Sequence, residues 1–446
     1  MTTKKLTDYL EWSTFMQDIK KAEQSELSQA RVWFKKETEF QETPIGKIPN
    51  EWQVCRLSQL STEMYYGVTA KAVEHYTGKR FLRTTDIKDY KVEWNSLPYC
   101  EVTSKSKGDL SRYTLRKGDI IVSRAGTIGM SVYIDRDMPD VVFGSYLIKV
   151  RVNNKLIDPK FLHYYFQTEQ YWTQVLASSK GSTLKNISLP ILKSLVLPVP
   201  PLIEQKVIAE ILSTVDLAID RVRRLVERAE RLKKGLMQEL LTKGIGHKEY
   251  KETSIGKIPK EWQVKKLGSI CQIGHGKRPS EVLPEGLYPI YGAGGFSGYT
   301  KDYISEGPWT IIIGRVGVGS VGKVYLASGR IWVNDNAFYV LPSTDEVCTP
   351  FIYYALLSRG LERLAMRSAG GYAIITQALL KKIEIPLPPV EEQKRITEIL
   401  FTIDEYINKL RKRLELLKNI KRALMEILLT GKVRVVIEFF SGVTNG

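Results

Sequence analysis

The chain has 446 residues, of which 43% are apolar and 26% charged, with 66 Lys and Arg against 49 Asp and Glu. That length is too great for one compact core and predicts two or more domains, and the composition excludes wholesale disorder. The net charge of +17 points to a polyanionic partner, either nucleic acid or an acidic membrane surface. Cys55, Cys100, Cys271 and Cys348 lie far apart, as do His75, His163, His247 and His275. Such scatter argues against a zinc site or a disulfide framework, so no metal is expected. No run reaches the ~18 apolar residues of a membrane span. The opening MTTKKLTDYL holds no apolar signal stretch, so a cytoplasmic protein without a membrane role is expected.

In chain order, residues 1–43 form a leader in which Trp12, Phe15, Met16 and Ile19 make an amphipathic helical stretch. It is expected to pack on the scaffold near the second long helix and close the molecule into a ring-like order. A disordered leader or a helix that docks a partner is an equal alternative. Residues 44–200 are rich in Gly, Tyr and short β-type runs, such as Asp119-Ile120-Ile121-Val122 and Val141-Val142-Phe143, with a helical stretch at 159–177. Residues 201–243 predict one long helix. Ile208, Ile211, Val215, Ala218, Val222, Leu225, Ala229, Leu232 and Leu236 recur in steps of three and four, which is a heptad seam.

Residues 244–388 repeat the globular pattern, with strand runs at 310–313 and 331–333 and a helical stretch at 350–366. Residues 389–432 predict a second long helix with its seam at Ile396, Ile399, Ile403, Tyr406, Leu410, Arg413, Leu417, Ile420 and Leu424, broken only by the arginine. Each helix of about 40 residues is roughly 60 Å long. The tail, 433–446, begins with the strand-like VRVVIEFF.

This order is a duplication. IGKIPNEWQV at 45–54 returns as IGKIPKEWQV at 255–264, an offset of 210. PLIEQKVIAEIL at 201–212 returns as PVEEQKRITEIL at 389–400, an offset of 188, and LKKGLMQELLTKG at 232–244 returns as IKRALMEILLTGK at 420–432. A repeat this long is one duplicated module, a variable globular part followed by a helix, and not a solenoid. The globular parts carry most of the excess charge, +8 over 44–200 and +5 over 244–388, which favours nucleic-acid contact over a merely solvated surface.

The layout, with the IGKIP and Glu-Trp marks, the PLPPVEEQKRI entry at 386–396 and the LLTG helix end at 428–431, resembles the specificity (S) subunit of type I restriction–modification systems. YPIYGAGGFSGY at 288–299, IIIGRVGVGSVGKV at 311–324 and WVNDNA at 332–337, and FLRTTDI and GDIIVSRAGTIGM in the first copy, resemble its target-recognition segments. The resemblance implies an α+β fold. Two similar mixed α/β recognition domains are joined by two long antiparallel coiled-coil helices, a pseudo-two-fold internal repeat. It implies a non-catalytic subunit whose domains each recognise one half of a bipartite site on double-stranded DNA. The helices set the unread spacer and dock modification (methyltransferase) subunits, two of them, with restriction (translocase/endonuclease) subunits joining to cleave. S-adenosylmethionine, ATP and Mg would then belong to the partners, and no cofactor to this chain. A stand-alone two-domain DNA-binding regulator with an internal coiled coil is the alternative.

Candidate DNA contacts follow from residue type and repeat position. Arg124 and Arg315 align at an offset of 191, each ahead of a glycine-bearing turn. Arginine binds phosphate or a guanine edge bidentately, although a strand-end ion pair would explain it equally. Lys79, Arg80, Lys277 and Arg278 sit beside glycines early in their modules, as phosphate or base contacts or as solvated loop charges. Tyr65, Tyr66, Tyr291 and Tyr299 could pack on sugars or thymine methyls, although core tyrosines are commoner. Asp335 and Asn336 could meet cytosine or adenine edges, or merely shape a turn. His75 and His275 are expected to be surface or loop residues rather than DNA contacts. The GxGxxG at 317–322 is rejected as a nucleotide site, since Val324 follows Lys323 where a P-loop needs Ser or Thr, and the following residues look like a strand. No [NDS]PP[FYW] motif for adenine methylation is present.

Overall fold

The strand that enters each globular part pairs with the strand that leaves it. Gln53–Arg56 runs antiparallel to Val196–Val199, and Gln263–Lys266 antiparallel to Glu384–Leu387. A Pro-Pro or Pro-Pro-Val step then turns the chain from this ribbon into a long helix, Leu202–Lys243 in the first copy and Val390–Leu428 in the second. Proline suits the entry because the first helical N–H groups have no intrahelical partner. The structure is a computed structural model and describes residues 30–102, 110–177, 186–367 and 373–439.

The chain divides into two compact units, Met1–Arg221 with Leu414–Gly446, and Val222–Arg413. Each unit therefore holds one globular part, the start of one long helix and the end of the other.

In the first unit a four-stranded sheet runs in the order Ser131–Tyr133, Ile120–Ser123, Leu147–Val152, Ser61–Tyr66. Side chains alternate across it. Ile120, Val122, Ile148 and Val150 pack in one cluster with Ile208, Leu212 and Val215 of the first helix and Leu424 and Leu428 of the second. Ile121 and Leu147 face the other way, onto Phe143, Met138 and Leu82. Both faces are covered, so the strand at 120–123 is apolar at nearly every position. The second sheet contains a parallel pair, Met138–Phe143 beside Arg80–Leu82.

The second unit repeats this plan. Its four-stranded sheet runs in the order Cys271–His275, Ala337–Pro342, Thr310–Gly314, Val324–Ala327. Ile311, Ile313 and Phe338 pack with Met237, Leu240, Ile396 and Leu400 of the helices, and Ile312 faces Val333 and Ala337 on the other side. A parallel pair recurs as well, Tyr288–Gly292 beside Trp332–Val333.

The helices are antiparallel within this unit: Glu230 pairs with Arg411 at 2.6 Å and Lys233 with Asp404 at 2.6 Å. Their seam keeps the expected Val215, Val222, Ala229, Ile396, Ile403 and Leu410, all buried, and shifts the positions between them by one residue. Ile399, Tyr406, Leu225 and Leu232 are exposed, while Leu400, Ile407, Ile219 and Val222 are buried. The second helix buries Ile396, Leu400, Ile403, Ile407 and Leu410, a four-then-three stepping that passes to Leu414, so Arg413 interrupts nothing. The first helix steps likewise through Leu212, Val215, Ile219, Val222, Val226, Ala229 and Lys233.

Two expected helices are also shorter. The stretch at 159–177 is broken into Pro159–Tyr165 and Glu169–Ala177, where the Thr168 hydroxyl accepts from the Tyr171 N–H. The stretch at 350–366 ends as a helix at Arg359, because Gly360 adopts φ +61° and caps it.

The amphipathic stretch at 12–19 lies outside the described residues. What joins the leader to the tail is a ribbon: Ala30–Lys36 pairs antiparallel with Val433–Phe439 over seven residues. Buried Glu204 pins it. Its carboxylate accepts from Arg434 Nε and Nη2 at 2.8 Å each, from the Val435 N–H at 3.1 Å and from Trp52 Nε1 at 3.2 Å.

Candidate nucleic-acid interface

In the second unit, four loops meet at one end of the four-stranded sheet. The strand Cys271–His275 runs into Gly276, whose N–H donates to Ala337 O at 3.0 Å, and the next N–H, of Lys277, donates to Val333 O at 2.8 Å. A Cβ at Gly276 would lie 2.0 Å from Asn334 O, so no side chain fits there. The Asn334 N–H donates to Tyr291 O at 2.8 Å, and the Asn336 carboxamide oxygen accepts from the Ala293 N–H at 2.8 Å. The Arg315 N–H donates to Asn336 O at 2.9 Å and its guanidinium to Asp335 O at 3.1 Å. Lys277, Tyr291, Arg315, Asp335 and Asn336 are thus brought together, although sequence places them on four separate segments. Asn336 acts there as a brace for the loop beside it. Lys277, Arg278 and Asp335 are exposed. Tyr299 lies one strand over, edge-on to Phe296 at 5.1 Å between ring centres, and Phe296 is itself 54% exposed.

The first unit builds a similar bracket. The Arg124 N–H donates to Tyr146 O at 2.9 Å, and its carbonyl accepts from the Ile187 N–H at 2.8 Å. The guanidinium lies 4.6 Å over the Tyr66 ring, a cation–π contact. Arg124 Nε is buried with no hydrogen-bond partner among the described residues. Tyr66 is fixed from beneath, its hydroxyl accepting from the Leu189 N–H at 2.7 Å. Arg124 and Tyr66 therefore form one element.

The other candidates of this unit lie elsewhere. Tyr65 points to the opposite face of its strand from Tyr66. Its hydroxyl donates to Arg112 O at 2.5 Å, and Arg112 and Lys149 lie over its ring at 4.6 and 4.8 Å. Lys79 Nζ donates to Pro139 O at 2.6 Å, and Arg80 Nη1 to Leu97 O at 2.7 Å and Asn95 O at 3.2 Å. His75 and His275 are exposed; His75 lies in a loop, whereas His275 ends the strand Cys271–His275 and lies edge-on to Phe338.

One residue of this end escapes a sequence reading. Tyr146, 62% exposed, occupies in the first unit the place that Asn336 holds in the second, since both carbonyls take the bracketed arginine's N–H. The offset of 191 that joins Arg124 to Arg315 sets Ser145 against Asn336, so the repeat does not mark it.

The turn at 317–323 lies between the antiparallel strands Thr310–Gly314 and Val324–Ala327, so a strand follows Lys323 as its sequence suggested. Among the described residues no group of three or more His, Cys, Asp or Glu side chains could hold a metal ion, and no helix is long and apolar enough to cross a membrane.

The type I restriction modification DNA specificity domain matches the chain twice, over residues 49–231 and 259–420. A specificity subunit ascribed to the type I restriction enzyme MjaX of Methanocaldococcus jannaschii is 31% identical over 90% of this chain and 98% of its own length. The MjaVIII specificity subunit of the same organism is 26% identical over 90% of this chain and 97% of its own. Among solved structures, the type I S subunit from M. genitalium superposes with a TM-score of 0.61 at 21% identity, covering 86% of this chain and 98% of the other. With both copies of the domain matched and a relative aligned end to end, the chain belongs to the type I restriction–modification specificity subunits.

Proposed function

We propose that each globular part reads one half of a bipartite DNA site through the loop end that carries its bracketed arginine. The two long helices keep the halves at a set spacing and carry the modification subunits, two per chain. Restriction subunits join that assembly. S-adenosylmethionine, ATP and Mg belong to those partners, and the chain acts where the DNA is, in the cytoplasm. Double-stranded DNA is the ligand of this chain itself.

One observation carries this reading. Arg124 and Arg315 are held alike, by a backbone N–H bonded to the loop opposite, and each guanidinium stands at the loop end of a basic module. Arg124 is half-buried, and its Nε has no hydrogen-bond partner among the described residues. An arginine so fixed can approach a guanine edge or a phosphate with little loss of side-chain freedom.

The test is a map of N6-methyladenine in cells that express the chain with its modification subunit. A two-part motif with an unread gap is expected. R124A should relax the motif in one part only and R315A in the other only. A motif unchanged by both variants would overturn the assignment of these arginines, and no methylation dependent on the chain would overturn the reading as a whole.

A further inference from the structure

The glycine-rich turn at 315–323 does something other than cradle a phosphate. It is a braced structure: Gly314 N–H donates to Lys323 O and Gly322 N–H to Gly314 O, both at 2.8 Å, and the Ser320 and Val321 N–H groups both donate to Gly317 O at 3.1 Å. Val316 bridges to Ile374, and the Ile375 N–H donates to Arg315 O at 2.9 Å. Gly317, Gly319 and Gly322 adopt φ of +113°, +70° and +78°, which fixes a backbone that other residues resist. A Cβ on Gly322 would lie 2.3 Å from Glu362 N, so the base of the turn is pressed onto the protein.

Three valines lie on this turn. Val316 and Val321 are partly covered, and Val321 packs on the core. Val318, between two glycines at the tip, is 97% exposed. The matching turn of the first unit differs: Ile128 packs against the core there, and Thr127 donates to Thr84 O at 3.2 Å. So the second unit alone holds a stiff, β-branched apolar side chain out into solvent, three residues from Arg315 and on the same loop. A valine has one strongly preferred χ1 and no polar atom. On a surface that meets DNA bases, the apolar group that it fits is the 5-methyl of thymine, which stands alone among the polar edges of the major groove.

We propose that Val318 is a specificity-determining residue of the second domain, making apolar contact with a thymine methyl in its half-site. This rests on the reading that the loop end bearing Arg315 faces DNA bases.

The test uses the full chain and duplexes that carry the methylated motif. Each thymine of the two half-sites, on either strand, is replaced in turn by uracil, which removes only the methyl. For the wild-type chain, one position in the half-site that R315A relaxes should weaken binding about 4-fold, which is about 0.8 kcal/mol for one methyl group. V318G should bind the parent duplex weakly and be indifferent to uracil at that position, while keeping the wild-type response at all others. Equal uracil penalties in wild type and V318G, or no sensitive position in that half-site, would overturn the proposal with DNA reading intact. A V318G chain that loses affinity evenly, with reduced bending of the duplex, would make Val318 a wedge between base pairs and overturn the methyl contact. Absence of sequence-specific binding by the wild-type chain would sink the underlying reading instead.

Discussion

The phenol of Tyr164 donates to the carboxylate of Asp216 at 2.9 Å. Lys421 from the other long helix meets the same carboxylate at 2.8 Å. The second unit repeats the set, with Tyr354 on Asp404 at 2.7 Å and Lys233 at 2.6 Å. Asp216 and Asp404, and Lys233 and Lys421, stand at the same repeat offset of 188. Both lysines lie on the helix seam, where a single polar position fixes register at some cost in stability. Burial and the neighbouring carboxylate push both phenols above their ordinary pKa. D404A should therefore cost about 2 kcal/mol, below the range for a fully buried pair because Lys233 and Asp404 keep 18% and 27% of their side-chain exposure. The double variant K233M/D404L should recover most of that loss. Urea unfolding of wild type, single and double variants checks it; a double variant as weak as D404A would show that the pair does more than satisfy itself.

Trp262 is fully buried, with its indole N–H donating to Glu392 at 2.9 Å, as Trp52 donates to Glu204. Beside it, Gln393 takes the Cys348 N–H and donates to Glu346 O and Pro388 O. This ties each globular part to the first turn of its helix. W262A should cost about 3–5 kcal/mol, and W262F less, since it loses the hydrogen bond and part of the packing. Thermal unfolding followed by tryptophan-independent circular dichroism should rank them in that order.

Gly276 admits no Cβ, with Asn334 O only 2.0 Å from where one would stand. G276A should push the strand end away from the 332–337 loop that holds Arg315. Affinity should fall at least 10-fold for duplexes intact in the second domain's half-site, while discrimination in the other half-site is retained. Competition binding with duplexes scrambled in one half at a time measures this.

His163 is enclosed by the rings of Tyr90, Tyr133 and Tyr164, with Ser131 and Gln167 at its nitrogens. Desolvation, helped by the nearby Lys421 charge, lowers its pKa to about 3. The folded chain thus keeps it neutral where the unfolded chain, titrating near 6.5, takes a proton. Its contribution is present above pH 6.5 and is lost as pH falls from there toward 3, by up to about 1.4 kcal/mol per unit. H163Q should flatten the fall of melting temperature between pH 6.5 and 4; an unchanged slope would assign the acid sensitivity to other groups.

Much of the fold was legible because the chain repeats. The two long helices, the strand runs at 120–123 and 310–314 and the tail strand follow from residue pattern alone. Alternate positions of the helix seam were misplaced by one residue because Ile399-Leu400 and Tyr406-Ile407 each offer two apolar side chains in succession. Only the partner helix decides which one is buried. The like placement of Arg124 and Arg315 was legible, because their spacing is part of the repeat. The partners of Lys79 and Arg80 were not, since their donors meet carbonyls 15 to 60 residues away. Nor was Tyr146, a turn residue marked only by the arginine that it holds. Backbone partners so distant leave no local pattern.

Arg434 lies in the strand that follows the second long helix, and Glu204, which it meets, belongs to the first module's helix. It also pairs with Glu37 at 3.2 Å, so its loss strands two buried carboxylates of the first unit. A frameshift or stop codon between the second long helix and this strand would therefore strike the domain encoded first. The lesion and the buried carboxylate that it strands would be encoded 230 codons apart.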